Sequence, residues 1–525
     1  MESGKVASII ILAVILSVLA AMLVAWRYRA AMKRLMSAPP GAAVEAPELP
    51  AAPPSGPLAS ITLEMNRQAY RRLIALFVGL SLLMALTEAL IEQQIAGGVM
   101  TWKTVTALTL VLAWPVILVL GVIERWSRLR VVLLLASWFV FGALLTAWRT
   151  TEVVTMPAIV GWLAYDMGVP LLLVGSVCLG SATRAIAPWM LPLFLALSAA
   201  SILGLDALYV LVFTLNANSV LFKVSEAVGF RTVMIAFGLL PMLFAWWPAK
   251  VLGRWLAMAY TRRRFSELFY LFTAVWALSL IPPALGAASD SWLIALADFA
   301  PLLWIPLSYP LLRALRPLVP PGQRPPTLLV LRVFQQDANV QNLFDRVIER
   351  WRLTGNTVLI AGTDLADRTI DADDVFTFLD GRLGERFVSR VADLEARLQQ
   401  FEFQPDIEGR YRVNECYCHD STWQQALDRL VAISDAVLMD LRNFKAKNAG
   451  CMHELGVLAK ADKLSRVVIL SNQNTERGAA EAAAASAPAG RFLWIEEGDK
   501  TSLQPAEVLA ALFPATPAAS PNTGR

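Results

Sequence analysis

The sequence predicts a polytopic α-helical membrane bundle of about nine transmembrane helices, followed by a cytoplasmic α/β domain with a mostly parallel, Rossmann- or flavodoxin-like sheet. The chain has 525 residues, of which 56% are hydrophobic and only 17% are charged, and its mean hydropathy is +0.53. Soluble domains carry about 25% charged residues, so long segments of this chain must avoid charge. The apolar runs end at Arg313–Pro326, after which strand-like and helix-like segments alternate.

Nine apolar runs are long enough to cross a bilayer, which takes about 20 predominantly apolar residues. They are Ala7–Trp26, Leu73–Ile91, Thr104–Ile123, Val131–Trp148, Pro157–Leu179, Trp189–Phe213, Gly229–Trp247, Phe269–Leu285 and Trp292–Leu312. The first run is too long for the apolar region of a signal peptide and is followed by Arg27 and Arg29. It is therefore predicted to be a retained signal anchor.

The distribution of Lys and Arg predicts the orientation. With the N-terminus outside, basic clusters such as Arg125, Arg128 and Arg130, and Arg262–Arg264, fall in cytoplasmic segments. Cytoplasmic loops of membrane proteins carry such an excess of positive charge. We therefore expect a multi-pass protein of the cell inner (plasma) membrane, with the lipid bilayer as its first partner and the α/β domain in the cytoplasm.

The composition shifts along the chain divide it into six parts. These are a signal-anchor helix (1–36), a linker rich in Pro and Ala (37–60), an eight-helix transmembrane bundle (61–316), a Pro-rich hinge (317–326), the α/β domain (327–515) and a disordered tail (516–525). The short hinge would hold the α/β domain close to the bilayer.

Acidic residues inside the apolar runs raise the possibility of transport. Glu88, Asp166, Asp206 and Asp298 lie within or beside the runs, and charges within spans mark transport paths in some proteins. The four acids are scattered, and no Lys or Arg lies deep in the runs beside them. Packing against polar helix groups or water is therefore the simpler interpretation.

The α/β domain shows strands that are apolar without interruption. The predicted strands are Thr327–Phe334, Thr357–Ala361, Tyr411–Cys416, Ala436–Leu441 and Arg466–Leu470, with Phe492–Ile495 as a sixth. The predicted helices are Asn339–Leu353, Asp373–Leu379, Gly384–Phe401, Thr422–Ile433, Cys451–Ala461 and Pro505–Leu512. This alternation predicts a parallel sheet covered on both faces, and in such sheets ligands bind beyond the carboxyl ends of the strands.

The stretch 434–459 carries the most chemistry. It reads as a strand, a polar loop and a helix that Gly450 opens, with Glu454 one turn into the helix. It resembles the nucleoside 2-deoxyribosyltransferase-like proteins, whose Asp/Asn-x-Gly-x-x-x-Glu-x-Gly pattern is matched by Asn448, Gly450, Glu454 and Gly456. It is also similar to the Cys-x-x-Glu-Leu segment of Toll/interleukin-1 receptor (TIR) domains, which Cys451, Glu454 and Leu455 match. Both resemblances imply that Glu454 serves the cleavage of an N-glycosidic bond, as nucleophile or as stabiliser of an oxocarbenium ion.

The predicted ligand contacts surround Glu454. They are Asp364, Asp440, Arg442, Asn448 and Gly450, and Trp423 closes the pocket from a neighbouring strand. Simpler interpretations are a solvated helix face for Glu454, a plain turn at Asp364, a loop held by Asp440 through backbone N–H groups, and a core position for Trp423.

The cysteine and histidine residues do not predict a metal site. The cluster Cys416-Tyr-Cys418-His419 departs from zinc-binding spacing, so buried thiols in a reducing compartment are the expected state. No cofactor and no nucleic-acid partner are expected.

These observations favour a membrane protein whose cytoplasmic domain binds a nucleotide-like ligand, with hydrolysis of a nucleoside or NAD as the activity. Two alternatives stay open. One is a membrane sensor without catalysis, in which the α/β domain recruits a partner or forms a homo-oligomer. The other is a transporter with a regulatory tail.

Overall fold

The computed structural model describes most of the membrane bundle and of the α/β domain. The described residues are 2–37, 56–95, 97, 100–150, 155–178, 181–215, 220–288, 291–314, 319–332, 346–361, 372–390, 392–419, 421–498 and 503–514. The middle of the predicted linker, the start of the predicted hinge and the predicted C-terminal tail lie outside these ranges.

The regular secondary structure of the first part of the chain is helical within the described residues, apart from an isolated bridge at Leu58. Its helices are α1 (Glu2–Ser37), α2 (Leu63–Ile95), α3 (Trp102–Leu112), α4 (Val116–Ile123), α5 (Arg128–Arg149), α6 (Met156–Cys178), α7 (Ser181–Thr214), α8 (Val220–Val228), α9 (Phe230–Thr261), α10 (Glu267–Ser279), α11 (Ile281–Ala288), α12 (Trp292–Ala297) and α13 (Trp304–Ala314). A 3-10 turn, Ala300–Leu303, joins the last two.

Seven helical segments in the described part are long and apolar enough to cross a membrane. They are Ser8–Leu35, Leu63–Ile95, Arg128–Arg149, Ile186–Thr214, Phe230–Thr261, Glu267–Ala284 and Trp292–Leu312. The pair α3 and α4 would form an eighth span, bent by 41° at Pro115, which has no N–H to donate and therefore interrupts the helix. The remaining predicted run coincides with α6, whose side chains lie partly outside the described residues, so the count of nine stays a prediction.

The second part of the chain is a separate α/β domain. Its elements are β1 (Thr327–Arg332), a helical segment at 346–351, β2 (Asn356–Ala361), α14 (Ala372–Leu379), a 3-10 turn (Leu383–Arg386), β3 (Phe387–Val388), α15 (Asp393–Gln399), β4 (Val413–Cys418), α16 (Trp423–Ile433), β5 (Ala436–Asp440), α17 (Ala449–Lys460), β6 (Arg466–Asn472), α18 (Arg477–Ala483), β7 (Phe492–Glu497) and α19 (Pro505–Leu512).

The seven strands form one parallel sheet in the order β3-β4-β2-β1-β5-β6-β7. When the two-residue edge strand β3 is set aside, the other six follow the doubly wound order 3-2-1-4-5-6 of dinucleotide-binding sheets and not the flavodoxin order 2-1-3-4-5. The strand order reverses between β1 and β5, whose last residues Arg332 and Asp440 are register partners. The carboxyl ends of these two strands therefore form the topological switch point.

One predicted helix is wrong in its first half. The predicted helix Gly384–Phe401 instead contains a 3-10 turn, the edge strand β3 and the shorter α15. Phe387 and Val388 are both buried and pair with Tyr417 and Cys418 of β4. An aromatic residue followed by a β-branched residue fits a pleated sheet better than a helix. The backbone N–H and C=O groups along the edge of β4 pair with those of β3.

Both faces of the sheet are covered, as the apolar strands predict. Along β1, Leu328 and Val330 belong to one buried apolar cluster, while Leu329 and Leu331 belong to the cluster on the opposite face. Tyr28 of α1 packs in the first of these clusters. The predicted signal-anchor helix therefore continues beyond the bundle and contributes to the core of the α/β domain.

The amino ends of the strands contact the helix bundle. Asn66 of α2 donates from its amide nitrogen to the carbonyl oxygen of Arg350 at 2.7 Å and to the hydroxyl of Thr354 at 2.8 Å, just before β2. Arg412, just before β4, donates to the carbonyl oxygen of Tyr260 at 2.8 Å. Because the strands are parallel, their carboxyl ends lie on the opposite edge of the sheet, about 20 Å from the amino ends for a six-residue strand.

Two backbone hydrogen bonds join residues 57–59, which precede α2, to Arg324, which precedes β1. We call this contact the seam. The N–H of Arg324 donates to the carbonyl oxygen of Pro57 at 3.0 Å, and the N–H of Ala59 donates to the carbonyl oxygen of Arg324 at 2.9 Å. The guanidinium of Arg324 binds both carboxylate oxygens of Asp435 at 2.6 Å. The end of the predicted hinge is therefore held both to the α/β domain and to the chain ahead of α2.

Two turns at helix ends place an arginine in the left-handed conformation. Arg125 after α4 and Arg263 after α9 have φ of 51° and 55°. In each turn the N–H of the next residue bonds the carbonyl five residues back, at 3.0 and 2.9 Å, which is the closure that usually carries glycine. Both arginines reach the α/β domain, Arg125 to Glu349 at 2.5 Å and Arg263 to Glu402 at 3.7 Å.

Candidate functional site

Glu454 lies where the sequence predicts it, one turn into the helix that follows the switch-point strand β5. Its side chain is 7% exposed, and its Oε2 atom is buried without a hydrogen-bond partner among the described residues. Burial raises the pKa of Glu454 to about 8, because the interior disfavours the charged form. The carboxyl is therefore mostly protonated at neutral pH.

Trp423, at the start of α16, packs against Gly450 and His453 in the first turns of α17. The rings of Trp423 and His453 meet edge to face with centroids 5.5 Å apart. A Cβ atom placed on Gly450 would stand 4.0 Å from the Trp423 ring. Burial and the neighbouring Glu454 raise the pKa of Cys451 to about 12, so this thiol is neutral. The structure thus brings Trp423 and Gly450 together, beside the turn of helix that carries Glu454.

Asp440 and Arg442 bind each other. The guanidinium of Arg442 donates to the two carboxylate oxygens of Asp440 at 2.9 and 2.8 Å and to Glu497 at 3.1 Å. The N–H of Arg442 also donates to Asp440 at 3.0 Å. Both residues are buried. Asp440 therefore holds its own loop, and neither residue presents a free charge at the switch point.

The other predicted contacts are more dispersed. Asn448 accepts a hydrogen bond from the N–H of Lys445 at 3.0 Å through its side-chain oxygen, which fixes the loop ahead of α17. Asp364 lies outside the described residues. Of the predicted set, the structure pairs Asp440 with Arg442, and it places Gly450 and Glu454 on one helix.

The cysteines of β4 lie in the core of the sheet. The sulfur atoms of Cys416 and Cys418 are 3.6 Å apart, and both belong to the apolar cluster on one face. The Nδ1 atom of His419 lies 3.1 Å from the hydroxyl of Ser421, in the loop beyond the strand.

Two of the four acids in the apolar runs are buried. Glu88 and Asp298 are buried, and Asp206 is partly exposed. The side chain of Asp166 lies outside the described residues.

A large cavity between the bundle and the α/β domain was not foreseen from the sequence. It has a volume of about 1140 Å³ and lies between α7, α9 and the β3–β4 edge of the sheet. None of the described residues predicted for the ligand site lines it. Its charged residues come from segments as far apart as α9 and β4, so spacing along the chain gives no signal for it.

A buried proton-sharing group forms one wall of this cavity. The hydroxyl of Tyr417 contacts carboxylate oxygens of both Asp374 and Glu415. A phenol carries one proton, so Tyr417 donates to one carboxylate and the second contact requires a proton on the other carboxyl. Arg386 binds Asp374 at 2.6 Å, and the hydroxyl of Tyr28 donates to Asp374 at 3.3 Å. Burial, and then Asp374, raise the pKa of Tyr417 well above its usual range.

Arg412 stands at the junction of this wall and the bundle. It binds Asp406 at 2.9 Å and Glu402 at 3.0 Å. Its guanidinium also lies 4.1 Å from the centre of the Tyr260 ring. One side chain thus ties two carboxylates of the α/β domain to the end of α9.

No family model, curated protein or solved structure matches this chain. The resemblance to deoxyribosyltransferase-like proteins and TIR domains therefore stays a prediction that rests on residues 434–459.

Proposed function

We propose that this chain is a multi-pass membrane protein whose α/β domain binds a nucleotide-like ligand at the carboxyl edge of its sheet. The observation that carries the proposal is the buried Glu454 carboxyl, whose Oε2 has no partner in the described part of the chain. Leaving a buried polar atom unpaired costs about 1–3 kcal/mol. Groups with such perturbed titration cluster at functional sites.

The position of Glu454 supports the same proposal. It follows β5, one of the two strands at which the order of the sheet reverses, and ligands of doubly wound sheets bind in the crevice at this reversal. The amino ends of the strands are occupied by contacts with the bundle. The carboxyl edge, at the ends of β1 and β5, is therefore the edge that we propose for a soluble ligand.

Cleavage of an N-glycosidic bond is the activity we propose for this site. A carboxylate beside the anomeric carbon stabilises the positive charge of an oxocarbenium-like transition state. With a pKa of about 8, Glu454 must first lose its proton to act in this way. The rate of hydrolysis is therefore expected to rise with pH and to level off above about pH 8.

The test uses the full chain in detergent or nanodiscs, incubated with NAD and with purine and pyrimidine nucleosides. Release of the free base, followed by chromatography, should fall about 100-fold or more in Glu454→Gln. Glu481→Gln is the matched control, because Glu481 is a half-exposed glutamate on α18 that pairs with Arg477. Turnover that Glu454→Gln leaves unchanged would contradict a catalytic role.

A sensor without catalysis is the second candidate. Two observations favour it: the protonated Glu454, and the closed pair of Asp440 and Arg442, which leaves no free charge at the switch point. In this case no base is released, and Glu454→Gln changes the affinity for a nucleoside measured by calorimetry. Self-association, the form of signalling expected for such a module, would appear as a change in mass on adding the nucleoside.

The topology is part of the proposal. We propose nine spans, an external N-terminus and a cytoplasmic α/β domain in the cell inner membrane, supported by the basic turns at Arg125 and Arg263 that meet the α/β domain. A reporter fused after Arg525 should be active only in its cytoplasmic form. An external signal from that fusion would require an even number of spans.

A further inference from the structure

We propose that the cavity between α7, α9 and the α/β domain binds one phospholipid whose headgroup carries a phosphate and an amine. This site lies apart from the carboxyl edge of the sheet and does not depend on the function proposed above. The shape of the cavity, its apolar wall and the signs of its unpaired charges all fit such a lipid.

The apolar wall of the cavity is continuous with the surface that faces lipid. Phe194 of α7 and Trp246 of α9 line the cavity. Trp246 is half exposed, and its neighbours Phe244 and Trp247 are among the most exposed apolar side chains of the described residues. Apolar surface of this extent on a membrane helix is covered by acyl chains. An acyl chain can therefore pass from the bilayer along Trp246 into the cavity.

Small residues on α9 provide the room. Ala249, Gly253 and Ala257 follow one another at helical spacing and all line the cavity. A Cβ atom placed on Gly253 would meet no atom within 4 Å. A larger side chain at this position would thus start in open space beside the cavity.

Two basic side chains lie one turn apart on the same face of α9. Lys250 and Arg254 both line the cavity and are exposed, and neither forms an ion pair with any described residue. Basic pockets between transmembrane helices on the cytoplasmic side are typical binding sites for phosphate-bearing headgroups. These two side chains are the natural ligands of the lipid phosphate.

A third cation lies deeper in the cavity. Arg397 is 8% exposed and lines the cavity. It donates to the side-chain oxygen of Gln400 and to the carbonyl oxygen of Glu415, both at 2.9 Å. Its Nε atom is buried without a partner in the described part of the chain. A buried guanidinium without a carboxylate is unusual, and an anionic group in the cavity would compensate its charge.

The opposite sign is also present on the wall and selects the headgroup. Glu267, Asp380 and Glu385 line the cavity and form no ion pair with any described residue. A headgroup that carried only negative charge would meet these carboxylates. In a headgroup that carries both groups, the phosphate pairs with Lys250 and Arg254, and the amine pairs with the carboxylates.

The experiment measures lipid that copurifies with the full chain. The protein is delipidated in detergent, exposed to mixed micelles of phosphatidylethanolamine or phosphatidylglycerol, and examined by native mass spectrometry. We expect one tightly held phosphatidylethanolamine per chain. Lys250→Gln combined with Arg254→Gln, and separately Gly253→Leu, should each weaken its retention about tenfold or more.

The controls separate loss of the site from loss of the fold. Arg262→Gln removes an exposed cation at the end of α9 that does not line the cavity, and Gly79→Leu fills open space on α2. Both should retain the lipid as the parent chain does. Equal retention by the cavity variants and these controls would overturn the site, and equal retention of phosphatidylglycerol would overturn the choice of headgroup.

A last arm distinguishes a lipid from a soluble phosphate. Phosphoethanolamine in solution carries the same charges without acyl chains. We expect it to compete poorly with the lipid, because it has no acyl chain to pack against the apolar wall beside Trp246. Competition by phosphoethanolamine as effective as that by the lipid would overturn the lipid assignment.

Discussion

The guanidinium of Arg125, in the turn between α4 and α5, lies 2.5 Å from the carboxylate of Glu349, just ahead of β2. Glu349 also binds Arg410 at 2.6 Å and Arg352 at 3.1 Å. One buried carboxylate of the α/β domain is therefore shared by two arginines of that domain and one of the bundle. The contact couples the position of the sheet to the bundle.

Replacing Glu349 should weaken this junction. Glu349→Ala leaves three guanidinium groups without their carboxylate, and breaking a buried ion pair on one side costs about 3–5 kcal/mol. We expect a loss of this order in the free energy of unfolding, measured by denaturant titration in detergent with tryptophan fluorescence. Glu395→Ala, which removes an exposed pair with Arg429, should change it by less than about 1 kcal/mol.

The same junction predicts an acid sensitivity. Burial alone would raise the pKa of Glu349, but Arg410, Arg352 and Arg125 outweigh it and hold the pKa well below 4.5. A depressed folded-state pKa gives stability that is present above the unfolded value of 4.5 and lost as pH falls through the folded value. The acid unfolding curve of Glu349→Gln should therefore be flatter below that pH than the curve of the parent chain.

The two left-handed arginines should respond differently to glycine. A left-handed backbone costs a residue other than glycine about 1 kcal/mol, so each glycine variant relieves that strain. Arg263→Gly loses only a partly exposed contact at 3.7 Å and should keep or slightly raise the free energy of unfolding. Arg125→Gly loses the contact with Glu349 and should lower it by about 1–3 kcal/mol. Equal effects in thermal unfolding would show that the Arg125 contact adds nothing.

Glu454 should make the stability of the chain depend on pH with a sign opposite to that of Glu349. Its pKa is raised from 4.5 to about 8, so the folded state binds a proton that the unfolded state has already released between these values. The stability of the parent chain is therefore full below about pH 4.5 and falls as pH rises towards about pH 8. Glu454→Gln carries no titrating proton and should be the more stable chain at pH 8, by a few kcal/mol at most. Parallel stability curves for the two chains would refute the raised pKa.

Tyr417→Phe tests the buried proton-sharing group. It removes the hydroxyl between Asp374 and Glu415 and should lower the free energy of unfolding by about 1–3 kcal/mol. Adding Glu415→Gln should restore part of the loss, because it removes one of the two facing carboxylates. Tyr209→Phe, at an exposed position on α7, is the control that should have no effect.

The sequence was informative where a single segment determines its own structure. Uninterrupted apolar residues in β1 and β5 predict buried parallel strands, and these strands are confirmed, as is the series of long apolar helices that precedes them. The order of the strands is set by contacts between distant segments, so the reversal between β1 and β5 was not predictable. β3 was missed because two residues, Phe387 and Val388, give no periodicity.

The candidate site divides in the same way. The place of Glu454 on the helix after β5 follows from local pattern. The closure of Asp440 by Arg442 does not, because residues two apart at the end of a strand can turn towards each other or towards a ligand. The cavity was beyond reach, since its lining residues, such as Lys250 of α9 and Glu415 of β4, come from segments far apart in the chain.

The seam at Arg324 attaches the sheet at the amino end of β5, through Asp435. The loops that leave β5 and β6 lie at the opposite edge. The described loops that leave β5 and β6 bond to each other within the α/β domain: the N–H of Asn443 donates to Asn472 at 3.0 Å, and the N–H of Ala446 donates to Glu476 at 2.8 Å. Loops of this kind accept insertions and substitutions readily. Substitutions in these two loops are therefore expected to leave the contacts between the sheet and the bundle unchanged.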